Sequence, residues 1–165
     1  MKVIIFGLPG SGKTRMANKL SKVRGIPVFH LDKLFFEKGW RERSSKDFLF
    51  DVENAMKNDS WILDGNSMAT LEMRYSEADT AIYCNLPRST CLFHVFKRFF
   101  SNYSFDIPED TNRLPSWKLI KYLWKFNYRY GGKIEFLRGK YPEVNFININ
   151  SKADMEQMSF YKAIL

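Results

Sequence analysis

The residues best suited to chemistry in this sequence lie close to its start. The pattern G-x-x-x-x-G-K-[ST] is matched in full by Gly7-Leu8-Pro9-Gly10-Ser11-Gly12-Lys13-Thr14. Glycines let the backbone curve so that its N–H groups point inward, and a helix that begins at Lys13 adds its positive dipole end. Lys13 can reach the β- and γ-phosphates, and the Thr14 hydroxyl can ligate Mg²⁺. The motif therefore predicts a P-loop that binds the phosphates of a nucleoside triphosphate, with Mg²⁺.

Asp64 is the candidate for a second group at the metal. It follows the apolar residues Trp61-Ile62-Leu63 and precedes Gly65. In an open parallel sheet, the carboxyl ends of neighbouring strands face one crevice, where ligands bind. A carboxylate there can be the second group that holds Mg²⁺. The alternative is an ordinary Asp-Gly turn.

Asp32 is the candidate for a group that acts on the phosphoryl acceptor. It follows a short apolar strand, where it can accept a proton from a substrate hydroxyl or contact the metal through water. The alternative is an Asp that caps the helix beginning near Lys33. His30 is interpreted as an ordinary strand residue.

Phosphoryl transfer also requires cations that follow the moving negative charge. Arg98 lies four residues after His94 on one helix face, and Arg129 lies on the helix that returns from an irregular, polar segment at 101–115. Both would flank the site if that segment closes over the nucleotide. The alternative for any single arginine is a solvated surface charge. The full set of candidates is Arg88, Arg98, Arg113 and Arg129.

Short apolar strands and longer helical patterns alternate along the chain, which predicts one α/β domain over 1–165 with a parallel sheet wrapped by helices. Strands are expected at 2–6, 27–29, 61–63, 80–85 and 143–149. Helices are expected at 13–23, 44–57, 69–75, 88–100, 116–138 and 152–164.

These motifs resemble the small P-loop kinases related to adenylate kinase and, more closely, the bacterial DNA topology modulation proteins (FlaR-like). Besides the P-loop, the residues that carry the resemblance are 28–32, Gly39-Trp40, 60–66, Arg74, Ala78-Asp79, 86–88 and Lys97-Arg98.

The resemblance implies a P-loop NTPase three-layer fold with a five-stranded parallel sheet. It also implies an acceptor-binding region at about 30–60 and a lid-like insertion at about 101–115. Asp64 would then act through Mg²⁺-bound water, Asp32 would lie on the acceptor side, and Arg98 and Arg129 would flank the lid. The chain departs from the family pattern at His94, where arginine is common, and in a thinned arginine cluster at 128–132.

Composition excludes several other classes of protein. The apolar runs are far shorter than the roughly 20 residues that span a bilayer, and no signal peptide is recognisable, so a cytoplasmic protein with no membrane partner is expected. Two cysteines, Cys84 and Cys91, cannot supply a zinc site or a zinc-type lid, and they are expected to be reduced and packed.

The net charge of +8 is concentrated in residues 88–140, which carry 11 Lys and Arg against 4 Asp and Glu, with 13 of the 27 aromatic residues. An anionic partner is therefore expected for this segment. One alternative function is a nucleotide-dependent regulator that binds nucleic acid through it. Against this alternative, one helical stripe is expected to pack inward: Trp117, Ile120, Leu123, Trp124 and Tyr128.

The leading prediction is a kinase that transfers the γ-phosphoryl group of ATP to a small acceptor, with nucleotides among the candidates. A metabolite kinase of the shikimate or gluconate type differs from it only in the acceptor.

Overall fold

The structure, a computed structural model, describes residues 1–37, 41–100 and 117–160, except the side chains of 98–100 and 158–160. The strands are β1 (Lys2–Gly7), β2 (Val28–His30), β3 (Trp61–Asp64), β4 (Thr80–Cys84) and β5 (Asn145–Ile149). The helices are α1 (Lys13–Arg24), α2 (Leu31–Phe35), α3 (Ser45–Met56), α4 (Leu71–Ser76), α5 (Arg88–Phe100), α6 (Trp117–Lys140) and α7 (Lys152–Phe160).

The sheet has five parallel strands, as predicted, and their order in the structure is β2-β3-β1-β4-β5. The central strand β1 is apolar from Val3 to Phe6, its first three residues in this run are β-branched, and all four side chains are fully buried. Such uninterrupted apolar runs are typical of parallel strands covered by helices on both faces. Burial on both faces fixes β1, and with it the loop that follows.

Helix ends follow their sequence signals. Ser44 caps α3, since its hydroxyl accepts a hydrogen bond from the Asp47 N–H at 3.1 Å. One face of α3 is buried in the core through Phe48, Val52 and Ala55. α1 ends at Gly25, whose φ of 68° is the left-handed conformation that glycine adopts without strain.

Helix α6 corrects one prediction. Trp117, Trp124 and Tyr128 were expected to pack inward, but their exposed fractions are 78, 58 and 93%. A helix rich in aromatic residues satisfies the i, i+3, i+4 pattern on two faces. Leu123 of the predicted stripe is buried as expected, but the buried face continues through Phe126, Ile134 and Leu137 and not through the tryptophans and Tyr128.

Both cysteines are buried with free thiols, as expected. Burial raises the pKa of Cys84 to about 12 and that of Cys91 to about 11, so both stay protonated near neutrality. Among the described residues, no helix is long and apolar enough to span a membrane.

Candidate active site

The P-loop connects β1 to α1 and is held against two neighbouring elements by close backbone contact. The Leu8 N–H donates to the Cys84 carbonyl at 3.0 Å, and a Cβ atom added at Gly7 would lie 2.2 Å from the same oxygen. A Cβ added at Gly10 would lie 2.4 Å from the carbonyl oxygen of Cys91, on α5. Gly10 also has a φ of +78°. Only glycine fits these contacts, which explains its place in the motif.

The N-terminus of α1 is available to an anion. Its cap residue, Gly12, has no side chain to bond the free N–H groups of the first turn, and that turn contains no acidic residue. The remaining donors and the helix dipole therefore favour a bound phosphate.

Lys13 lies inside the loop. Its ammonium group donates to the Leu8 carbonyl at 2.8 Å. Although part of the side chain reaches solvent, burial of the ammonium group lowers its pKa, and the negative charges of Asp64 and Asp32 oppose that shift. A cation held in this desolvated position gains interaction energy when a phosphate binds.

Asp64 is brought to the P-loop by the register of the sheet. It ends β3 opposite Ile5 of β1 and is only 4% exposed. The Thr14 hydroxyl donates to its Oδ2 atom at 2.8 Å, whereas its Oδ1 atom is buried and has no hydrogen-bond partner in the part of the chain that the structure describes. An uncompensated buried carboxylate oxygen is costly unless a further ligand satisfies it.

These oxygens fit a magnesium ion. Mg²⁺ prefers hard oxygen ligands, keeps several of its waters, and is usually held by one or two protein groups and the substrate phosphates. Thr14 and Asp64 would hold it here, and the ion would supply neutralisation of charge on the phosphates. Among residues 1–37, 41–100 and 117–160, no group of three or more His, Cys, Asp and Glu side chains forms a separate metal cluster.

His30 belongs to this site, contrary to its interpretation as an ordinary strand residue. It pairs with Asp64 in the register of β2 and β3, and its Nδ1 atom lies 3.0 Å from Asp64 Oδ2. The available signal was its position at the end of a strand beside the one that ends in Asp64. The adjacency of those two strands depends on the sheet order, which the sequence does not state directly.

Asn66 is a second residue that sequence reasoning did not assign to the site. Its Oδ1 atom accepts a hydrogen bond from the Gly7 N–H at 2.9 Å and so ties the loop after β3 to the start of the P-loop. The same loop is held from α6, where the Lys133 ammonium donates to the Met68 carbonyl at 2.8 Å.

Asp32 lies in the first turn of α2, because β2 ends at His30 and not at Asp32. Its charge acts on Lys13 and on Tyr122 of α6. Burial raises the pKa of Tyr122 to about 12; nearby Tyr130 and Asp32 raise it as well, whereas Arg129 and a hydrogen bond with Asn66 lower it. Asp32 and the exposed Arg129 thus lie near one tyrosine, beside the P-loop.

The structure describes the side chains of only some of the remaining candidate arginines. Arg98 lies in α5, but its side chain is outside the described residues, as are Arg113 and the predicted lid at 101–115. Arg88 lies over the ring of Trp124, with 5.6 Å between its guanidinium carbon and the ring centroid. One turn before Arg98, the His94 Nδ1 atom lies 2.9 Å from the Gly10 carbonyl oxygen, so α5 packs directly against the P-loop.

Comparison with solved structures identifies the fold. A crystal structure of shikimate kinase from Bacteroides thetaiotaomicron superposes with a TM-score of 0.61 at 11% sequence identity, covering 97% of this chain and 94% of that one. No protein-family model matches the sequence, and no curated protein matches it either. The chain therefore has the fold of a small P-loop kinase, and its narrower resemblance to DNA topology modulation proteins stays a prediction.

Proposed function

We propose that this protein is a Mg²⁺-dependent kinase that transfers the γ-phosphoryl group of ATP to a small acceptor. The observation that carries the proposal is the hydrogen bond of 2.8 Å between Thr14 and Asp64, beside a buried Asp64 oxygen that no described residue bonds. A structural Asp-Gly turn would not need a buried carboxylate at this place. A magnesium-nucleotide site does.

Each residue then has a role. The N–H groups of Gly7–Thr14 and the Lys13 ammonium hold the β- and γ-phosphates, and Lys13 stabilises the charge that develops during transfer. An acceptor oxygen forms a bond to the γ-phosphorus while the bond to the β,γ-bridging oxygen breaks and ADP leaves. With a hydroxyl acceptor, the proton passes to Asp32. Arg129, and Arg98 from α5, are proposed to flank the transferred group.

A coupled assay of ADP production tests the proposal with ATP, Mg²⁺ and candidate acceptors. The panel contains nucleoside monophosphates, nucleosides, shikimate, gluconate and other hydroxylated metabolites. Lys13→Ala is expected to lower the rate with the correct acceptor about 10²–10³-fold, the usual effect of removing one preorganised charge or donor. Lys22→Ala, at an exposed position of the same helix, is the matched control. The proposal fails if no acceptor raises ADP production above the Lys13→Ala background.

One observation favours a second function, binding of single-stranded nucleic acid. Trp124 and Tyr128 are exposed on α6, and residues 117–134 contain five Lys and Arg residues and no acidic residue. Exposed rings can stack on bases while the cations neutralise phosphates. The sequence spoke against this function because these aromatic residues were expected to pack in the core. Their exposure removes that objection.

Fluorescence anisotropy with a labelled single-stranded oligonucleotide, repeated over a range of salt concentrations, tests this second function. Reversing Lys118, Lys121 and Lys125 to Glu removes three cations, and the slope of log K against log salt is expected to fall by about 2, since each neutralised phosphate contributes roughly 0.7. Reversal of three exposed lysines elsewhere, Lys22, Lys46 and Lys57, is the control. Absence of binding even at low salt would exclude this function.

A further inference from the structure

Arg74 is a fully buried cation close to the candidate active site. It belongs to α4, and its side chain has no solvent exposure. Its Nε atom donates to the carbonyl and the hydroxyl of Thr70 at 3.3 and 3.2 Å, and its Nη2 atom donates to the Ser67 carbonyl at 2.7 Å. The Nη1 atom is buried and has no hydrogen-bond partner among the described residues.

The environment of Arg74 is unfavourable for a charge. Burial lowers its pKa to about 9, and the one charge that opposes this shift is that of Asp64. The guanidinium nevertheless remains protonated at neutral pH. No ion pair within 4 Å joins Arg74 to any carboxylate in the described part of the chain. A buried charge without a direct partner normally destabilises a fold.

Arg74 and Asp64 are two buried side chains of opposite charge. Each is buried, each interacts electrostatically with the other, and each has one polar atom without a partner among residues 1–37, 41–100 and 117–160, namely Nη1 and Oδ1. In a poorly screened interior, opposite charges attract over more than contact distance. Arg74 therefore acts on the carboxylate whose other oxygen already accepts the Thr14 hydrogen bond.

Arg74 also restrains the loop that links Asp64 to α4. The carbonyls of Ser67 and Thr70 both accept from its guanidinium, and between Asp64 and these residues lies Asn66, the partner of the Gly7 N–H. A neutral side chain such as glutamine can donate hydrogen bonds to carbonyls at a lower desolvation cost. The hydrogen bonds alone therefore do not account for a cation at this position.

We propose that Arg74 is a positioning residue for the magnesium-nucleotide site, whose buried charge holds the Asp64 carboxylate in place for the metal. The inference rests on the Mg²⁺-nucleotide part of the proposed function, and it does not depend on any acceptor. The hydrogen bonds of Arg74 go to Thr70 and Ser67 and not to the P-loop, so its proposed effect passes through Asp64 and the loop 66–70.

Two variants separate charge from hydrogen bonding. Arg74→Gln keeps donors for the Ser67 and Thr70 carbonyls and removes the charge, whereas Arg74→Lys keeps the charge and loses the planar fork. Arg138→Met is the matched control, because Arg138 is exposed and pairs with Glu135 on the surface of α6. Isothermal titration calorimetry measures ADP affinity for each protein, once with Mg²⁺ and once with EDTA, and thermal unfolding measures stability.

The decisive quantity is the ratio of the ADP affinity with Mg²⁺ to the affinity with EDTA. Arg74→Gln is expected to lower this ratio about tenfold, the low end of the usual effect of losing a group that orients a metal ligand. Arg74→Lys is expected to stay within about threefold of wild type, and Arg138→Met to leave the ratio unchanged. An unchanged ratio in Arg74→Gln, with or without a loss of thermal stability, would overturn the inference, as would an equal loss in both Arg74 variants.

Failure of the inference can be distinguished from failure of the proposed function. If wild-type protein binds Mg-ADP but transfers phosphate to no acceptor, a lowered ratio in Arg74→Gln still supports the inference. If Arg74→Gln does not fold, the affinity ratio of Arg74→Lys decides. A tenfold fall in that ratio contradicts the inference, and a ratio near that of wild type supports it. Wild-type protein without any Mg²⁺-dependent gain in affinity would contradict both.

Discussion

The P-loop and helix α6 differ in how closely the sequence determines their structure. In the P-loop, the motif residues are constrained by backbone contacts, such as the approach of Gly7 to the Cys84 carbonyl and of Gly10 to the Cys91 carbonyl. On α6, two apolar faces are available, and only packing against the sheet decides that Phe126 is buried and Trp124 is exposed.

The difference shows where a motif is informative. A pattern that encodes local backbone geometry predicts the structure around it. Each glycine and the lysine are required by contacts with atoms a few residues away or on the adjacent strand. A pattern of helical spacing states only that a helix has an apolar face. Four pairs of substitutions, ordered by the size of the expected effect, test this contrast.

The largest effect is expected within α6. Phe126→Ala should lower the free energy of unfolding by about 3–5 kcal/mol, because it removes a fully buried ring from the core. Trp124→Ala should lower it by about 0.5–1 kcal/mol, the value of its exposed cation–π contact with Arg88. Urea unfolding of both variants measures the difference, and equal losses would mean that the two faces of α6 are wrongly assigned.

The second effect is steric and lies in the P-loop. Gly10→Ala should lower the free energy of unfolding by about 2–4 kcal/mol, since it combines a positive φ with a clash against backbone. The rise in melting temperature caused by Mg-ADP should also shrink. Gly139→Ala is the control, because no atom lies within 4 Å of the new Cβ in the α6 helix. A fully stable Gly10→Ala variant would refute the close contact with α5.

The third effect concerns His30, which was not predicted as a site residue. His30→Ala should lower kcat/KM about tenfold, because it removes a group that orients Asp64. His30→Asn retains a donor near the position of Nδ1 and should keep more of the activity. Steady-state kinetics and Mg-ADP binding together measure the effect. A wild-type rate in His30→Ala would mean that His30 is an ordinary strand residue with no role in the site.

The smallest effects are expected at two glycines that both have room for a methyl group but differ in backbone conformation. Gly132→Ala should raise the free energy of unfolding by about 0.5–1 kcal/mol, since the site lies in the interior of α6 and is open. Gly25→Ala has equal space but a φ of +68°, so it should lower stability by about 1 kcal/mol. Thermal melts of the pair suffice, and the same sign in both would contradict this account.

Much of the fold was predictable because its signals are local. The five strands, the capping of α3 by Ser44 and the start of α5 at Arg88 follow from apolar runs, cap residues and turn residues close in sequence. The P-loop and the carboxylate that ends β3 were found in the same way. The fold class is confirmed, whereas the catalytic roles of Lys13, Asp32 and Asp64 remain proposals.

The missed residues depend on contacts across the sheet or between layers. His30 meets Asp64 only because β2 lies beside β3, and Asn66 meets Gly7 across a sequence separation of 59 residues. Arg74 looks like a surface residue on a short helix until its burial is known. Helix α6 was assigned the wrong inner face because aromatic residues occupy both of its sides.

The position of β1 in the sheet has a consequence for partial opening of the molecule. Its neighbours β3 and β4 pair with it on both sides, whereas β2 has three residues and forms one edge of the sheet, and β5 forms the other. Amide hydrogens in β1 should therefore exchange with solvent most slowly, and those of β2 should exchange earlier. Asp32, which follows β2, would lose its alignment in such openings while the P-loop, rooted on β1, keeps its shape. If the proposed function holds, nucleotide stays bound through fluctuations that release and readmit the acceptor.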